Sequence, residues 1–169
     1  MANKRFLHKF DSQKIWWLHF IKYALLAVVA VVLVFTLVIG VSRVSGQSML
    51  PTLQDGSAVV YLRLTQNYAV GDVVSVHMSN GERYIKRVVA VAGDTVDLRD
   101  GVLYVNGAAE AVSYAHGETN PQSDAVSYPL TLRQGQVFLL GDNRPVSVDS
   151  RTFGAVNVSQ IQGRVLAVD

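Results

Sequence analysis

From Tyr23 to Ser42 the chain runs twenty residues without a charge, "YALLAVVAVVLVFTLVIGVS". No polar face interrupts the run. A helix of that length rises about 30 Å, which matches one hydrocarbon core. Lys22 and Arg43 bracket it, and Trp16 and Trp17 precede it as interfacial aromatics do. The pattern predicts a transmembrane helix over 23–42. A cleaved leader would instead have an apolar region of only ~7–15 residues and end in a small-x-small site. The flank "VIGVSRVSG" matches that poorly, so an uncleaved anchor is expected.

After residue 43 the apolar positions change period. Short runs rich in Val, Leu and Tyr recur at 57–63, 72–78, 83–91, 95–99, 102–105, 136–140 and 163–168. Turn dipeptides separate them: "NG" at 80–81 and 106–107, "DG" at 100–101. Asp100-Gly101, between "TVDLR" and "VLYV", is a two-residue hairpin signal. Closely spaced strands with tight turns predict an antiparallel sheet or barrel and not βαβ units. Residues 108–128 have no clean period and read as a surface excursion. The expected organisation is a tail over 1–22, a membrane helix over 23–42 and a β domain over 43–169.

Charge changes this picture in one respect. The net charge is +2 over 169 residues, but residues 1–22 carry +4 and the remainder −2. The basic excess therefore belongs to the tail, where it encodes topology. It predicts a cytoplasmic N-terminus and an extracytoplasmic β domain, and it argues against a nucleic-acid binder. Half the residues are hydrophobic, and the mean hydropathy of +0.25 fits a membrane protein. There is no cysteine, which excludes disulfides, a Cys nucleophile and Cys-ligated metal.

The candidate chemistry begins at "SGQSMLPTL", residues 45–53, where Ser48 sits in a short polar loop between Gly46 and Pro51. A serine hydroxyl is a poor nucleophile unless a base takes its proton. His8 and His19 precede the membrane span and lie on the wrong side of it. His116 falls in the polar excursion. His77 ends "DVVSVHM" and reads as a strand-end histidine. The β domain holds one lysine, Lys86, in "ERYIKRVVAVAGD". Strand period places Tyr84, Lys86 and Val88 on one face, with Ile85, Arg87 and Val89 on the other. Taken alone, that position describes an edge-strand lysine with its ammonium in solvent. Gly46-x-Ser48 is not a nucleophile elbow, because residue 50 is Leu and no βαβ unit surrounds it.

Four segments read together change the weighing. "GQSMLPTL" at 46–53, "GDVVSV" at 71–76, "RYIKRVVAVAGD" at 83–94 and "GDNRPVSVDSRTFGAV" at 141–156 occur in that order. The chain thereby resembles the type I signal peptidases, membrane-bound Ser-Lys leader peptidases, of the short Gram-positive kind. The resemblance implies a mainly β, antiparallel, coiled and partly open barrel-like domain behind one N-terminal transmembrane helix. It implies Ser48 as nucleophile, Lys86 as general base, Ser147 as a serine hydrogen-bonded to that lysine, and Asp149 with Arg151 as a structural ion pair beneath the site. Asp142, Asn143 and Arg144 would shape a turn. Met49 and Pro51 would shape the loop and a substrate- or membrane-facing surface. Some family members carry a serine two residues before the nucleophile whose hydroxyl joins the oxyanion hole. Here that position is Gly46, which leaves the hole to backbone donors. The resemblance further implies signal peptides of exported preproteins as substrate, the lipid bilayer and the secretion translocon as surroundings, and no cofactor. A non-enzymatic membrane-anchored assembly factor on the same scaffold is the alternative. A pure scaffold has no chemical need for both Ser48 and Lys86. A self-cleaving repressor with a Ser-Lys pair would be cytosolic and carry a DNA-binding domain.

Overall fold

The computed structural model describes residues 3–168, with side chains described over 14–166. The chain divides into two units, residues 1–38 and 39–169. The first is a single helix, α1 (Asn3–Val38). Its stretch Lys14–Val38 is 25 residues long and contains an 18-residue window of mean hydropathy 2.6, none of it buried. That length rises about 37 Å, enough to cross a bilayer. Trp16 stacks on Phe20, and Trp17 meets both edge-on near the helix's polar end.

The second unit holds β1 (Ile39–Arg43), β2 (Ala58–Leu62), β3 (Val73–His77), β4 (Arg83–Val91), β5 (Thr95–Arg99), β6 (Val102–Val105), β7 (Ala108–Ala109), β8 (Leu130–Thr131), β9 (Gln136–Leu140), β10 (Val156–Asn157) and β11 (Ile161–Val168). A one-turn helix, α2 (Ser150–Phe153), lies between β9 and β10. The uncharged run is therefore not one helix to residue 42. It is helical to Val38, and residues 39–43 pair with β2, Ile39 opposite Leu62 and Arg43 opposite Ala58. Ile39, Gly40 and Val41 are weak helix formers, so ladder bonds outcompete another helical turn.

Seven strands form one antiparallel sheet in the order β1-β2-β11-β3-β4-β9-β10, and four form a second in the order β7-β6-β5-β8. The edge strands β1 and β10 do not pair with each other, so the larger sheet stays open. The predicted hairpin is present: Asp100 and Gly101 both take positive φ, 49° and 77°, and join β5 to β6. That is the geometry a two-residue primed turn requires. The excursion is less irregular than its sequence. It contains β7, and it is tied to the domain at several points described below.

Three apolar clusters make the core. Val89, Ala90, Val96, Leu98, Leu103, Leu132, Phe138 and Leu140 pack between the two sheets. Val74, Val76, Val88, Leu139 and Ile161 fill a second cluster. Met49 and Leu53 join Val44 and Val59 in a third, beneath the serine loop. The register of β4 against β9 shifts between Val88 and Ala90. Alternation sends Val88 to the second cluster and Val89 to the first, and the bulge lets Val89 and Ala90 both face the first.

Candidate active site

Ser48 lies in a tight turn whose shape comes from its neighbours. Leu53 N–H donates to Met49 O at 2.9 Å, Leu50 N–H to Gln47 O at 3.2 Å, and Gly46 N–H to Asp55 Oδ1 at 2.8 Å. Met49 and Leu53 are buried and pin the turn to the core. Met49 therefore faces inward as floor, not toward a membrane, because an unbranched apolar side chain fills the gap under the loop. From the other side Asn143 N–H donates to Ser48 O at 3.0 Å, and the Asn143 amide donates to Gln47 O at 3.1 Å. The Ser48 N–H has no acceptor among the described residues.

Lys86 sits mid-strand in β4 with β3 on one side, opposite Val74, and its side chain is only 2 % exposed. It is not the solvent-facing edge lysine that its local pattern describes: β9 pairs with β4 only from Arg87 onward, but the Lys86 side chain is buried and meets the serine loop. Lys86 Nζ donates to Ser48 Oγ at 2.7 Å. No carboxylate pairs with it among the described residues. Burial pushes its pKa down to about 8. Asp149 and Asp142 pull it back up, and Arg151 presses it further down. At pH 7 such a lysine is roughly 10 % neutral, against about 0.03 % for one in water.

The ground around the pair is charged and almost dry. Arg151 Nε and Nη2 each reach an Asp149 oxygen at 2.8 Å, and both residues are buried. Asp149 also accepts from Gly141 N–H at 3.1 Å, and Arg151 Nη2 donates to Arg144 O at 2.7 Å. Arg87 grips Asp142 with two bonds of 2.8 and 2.7 Å, and Thr52 donates to the same carboxylate at 2.5 Å. Asp142 thus ties the lysine strand to the serine loop. Arg144 is 1 % exposed and reaches Glu110, Thr119 and Gly141 O. Asp142 and Arg144 are therefore buried anchors, more than turn formers.

Ser147 departs from expectation. Its hydroxyl is buried and has no hydrogen-bond partner among the described residues, so the expected bond to Lys86 is not formed in this structure. It is nonetheless close to the pair. A Cβ built on Gly141 would lie 2.2 Å from Ser147 Oγ and 2.5 Å from Ser48 O, so only glycine lets these groups approach. His77 ends β3, is exposed, and borders a separate groove with Met78, Gly81 and Ile161. His116 is exposed, and its N–H donates to Asp142 O at 2.7 Å.

The residues missed from sequence lie in the excursion. Glu110 pairs with Arg144, Tyr114 lies 4.0 Å under the Arg87 guanidinium, and Gln122 donates to Ser147 O at 2.9 Å. An aperiodic polar stretch gives no local sign of such contacts. Arg144 has Asp142 and Asp149 close by in sequence, but these pair with Arg87 and Arg151, which leaves Arg144 to Glu110 of the excursion.

A narrow cleft of about 70 Å³ opens over the pair, walled by residues 42–45 on one side and 83–86 on the other. Residues 83–86 pair with β3 along one edge, while pairing with β9 begins only at Arg87. Their other backbone edge has no ladder partner among the described residues. β1 and β4 are four places apart in the sheet order and border the same cleft, which requires the sheet to curl.

A family model described as "Signal peptidase, peptidase S26" matches residues 17–168. "Signal peptidase IB" of Staphylococcus aureus strain Mu50 is 34 % identical over 139 residues, covering 72 % of this chain and 73 % of the relative. "Signal peptidase I" of Bacillus caldolyticus is 35 % identical over 137 residues, covering 72 % and 74 %. A crystal structure of a signal peptidase I from Enterococcus faecalis V583 aligns at TM-score 0.49 and 31 % identity, over 60 % of this chain and 97 % of that one. With the family model spanning the β domain and these relatives matched over most of their own length, the chain belongs to the signal peptidase family, peptidase S26.

Proposed function

We propose that this protein is a membrane-anchored serine endopeptidase that removes N-terminal signal peptides from exported preproteins, with Ser48 as nucleophile and Lys86 as its base. One observation carries the assignment of roles: the 2.7 Å contact between Ser48 Oγ and a lysine amine that is buried and unpaired by acid. Neutral Lys86 accepts the Ser48 proton as Oγ attacks the scissile carbonyl. The free Ser48 N–H is the donor available for the oxyanion. Protonated Lys86 then gives its proton to the leaving amine as the C–N bond breaks. Water, deprotonated by neutral Lys86, attacks the acyl-enzyme and releases the acid and Ser48. Ser147 is a positioning residue whose spare hydroxyl accepts from the ammonium formed midway. The Asp149–Arg151 pair holds Gly141 and Ser147 in place from below.

The substrate adds as a strand. The unpaired backbone of residues 83–86 is a template for β-augmentation, and the small cavity admits only small inward-facing side chains. The stretch Lys14–Val38 anchors the enzyme. The basic tail keeps the N-terminus in the cytoplasm, so residues 39–169 work at the outer leaflet beside the translocon, after a single crossing. Incubating the detergent-purified protein with a preprotein, and weighing the products, tests this. Cleavage after a small-x-small segment is expected, with none from Ser48→Ala or Lys86→Met that remain folded by circular dichroism. Equal cleavage by folded Ser48→Ala would refute the reading.

A further inference from the structure

We propose that Arg43 and Arg83 give the cleft a charge preference, favouring acidic and rejecting basic side chains about three residues from the bond that is cut. This rests on the reading of the cleft as a peptide slot. The residues bordering it include three cations, Arg43, Arg83 and Lys86, and no carboxylate. Lys86 is buried and engaged with Ser48. Arg43 and Arg83 are exposed, and neither has an ion-pair partner among the described residues. The neighbouring acid, Glu82, is taken up by the Tyr84 hydroxyl and by the Asn80 amide at 2.8 Å.

Strand direction fixes where these charges act. Every neighbour pair from β1 through β2, β11 and β3 to β4 is antiparallel, so β1 and β4 run the same way. Both walls therefore lead toward the Ser48–Lys86 pair at their C-terminal ends. Arg83 lies three residues before Lys86, a distance of about 10 Å along an extended strand. A peptide strand in the slot covers the same distance in three residues. Its side chains alternate between the cavity and the rim. Those turned into the cavity are selected by size. Those turned to the rim meet two guanidinium groups.

The test uses the full chain in uncharged detergent and peptides sharing one small-x-small segment. Gln, Glu or Lys is placed in turn at each position from the fourth before the bond to the third after it. Two exposed charge pairs should produce a Glu-over-Lys ratio in kcat/KM of about tenfold at one or two of the outer positions, shrinking in high salt. The ratio should fall toward one in the double variant R43Q/R83Q and survive in R43K/R83K. Equal rates for Glu and Lys peptides, or a ratio that persists in R43Q/R83Q, would overturn the inference while leaving the peptidase reading intact. Loss of binding to phosphatidylglycerol vesicles by R43Q/R83Q with an unchanged peptide ratio would overturn it in favour of a lipid contact. No cleavage of the Gln peptide by wild type would sink the peptidase reading, and this inference with it.

Discussion

Replacing Lys86 with Met should abolish cleavage and at the same time stabilise the protein near neutral pH. Burial is the largest influence on the amine and brings its pKa from 10.5 to about 8. Below pH 8 the lysine is charged in both the folded and unfolded chain, and the folded state carries the cost of an ammonium removed from water. Between 8 and 10.5 the unfolded chain binds more protons than the folded one, so stability rises with pH. Above 10.5 both are neutral and the cost is gone. The span from 8 to 10.5 converts to about 3 kcal/mol. Met fills similar volume without the charge, so Lys86→Met should exceed wild type by up to about 3 kcal/mol at pH 7, with the gap closing by about pH 10.5. The assay is thermal unfolding in detergent at pH 7, 8.5 and 10.5, alongside the wild-type rate profile. In that profile kcat/KM should climb about tenfold per pH unit below 8 and level off above it. A stability gap that does not change with pH, or a rate still climbing beyond pH 9.5, would refute the argument that burial frees the base.

Asp149→Asn leaves the Arg151 guanidinium buried without its counter-charge and should cost about 3–5 kcal/mol, read from chemical unfolding, with part recovered by adding Arg151→Met. Because Asp149 raises the Lys86 pKa, the rise in rate should also move to lower pH in any Asp149→Asn protein that stays folded. Gly141→Ala places a methyl 2.5 Å from the Ser48 carbonyl oxygen. It should lower kcat by about a hundredfold or more by displacing Ser48, the proposed nucleophile, with circular dichroism unchanged. Protease added to intact spheroplasts should digest residues 39–169 and spare an N-terminal tag; protection of the β domain would overturn the proposed topology.

Features set by neighbours in the chain were legible in the sequence. The uncharged run signals a long apolar helix, because charge and hydropathy act on the helix directly. Strands over 95–99, 102–105 and 136–140 match the observed bounds, since alternation and turn dipeptides are local signals. The end of α1 was missed because Ile, Gly and Val suit lipid and sheet alike, and only pairing with β2 decides between them. The short strands β7, β8 and β10 carry too few residues to show a period.

The candidate site divides the same way. Ser48 and Lys86 were identifiable as residue types in matching segments, 38 positions apart. The burial that suits Lys86 to its proposed role as base was not legible, because its own strand pattern describes an exposed lysine. Its burial and its contact with Ser48 both come from the curl that brings the serine loop, β1 and β4 to one cleft. The clamp from the excursion was hidden for the same reason. Glu110 and Gln122 look like solvated residues until the chain returns them to Arg144 and Ser147. Sequence by itself determined which groups could do the chemistry and where most of the longer strands run. Tertiary structure alone decided which groups lose their water, and desolvation is what turns an ordinary amine into a base.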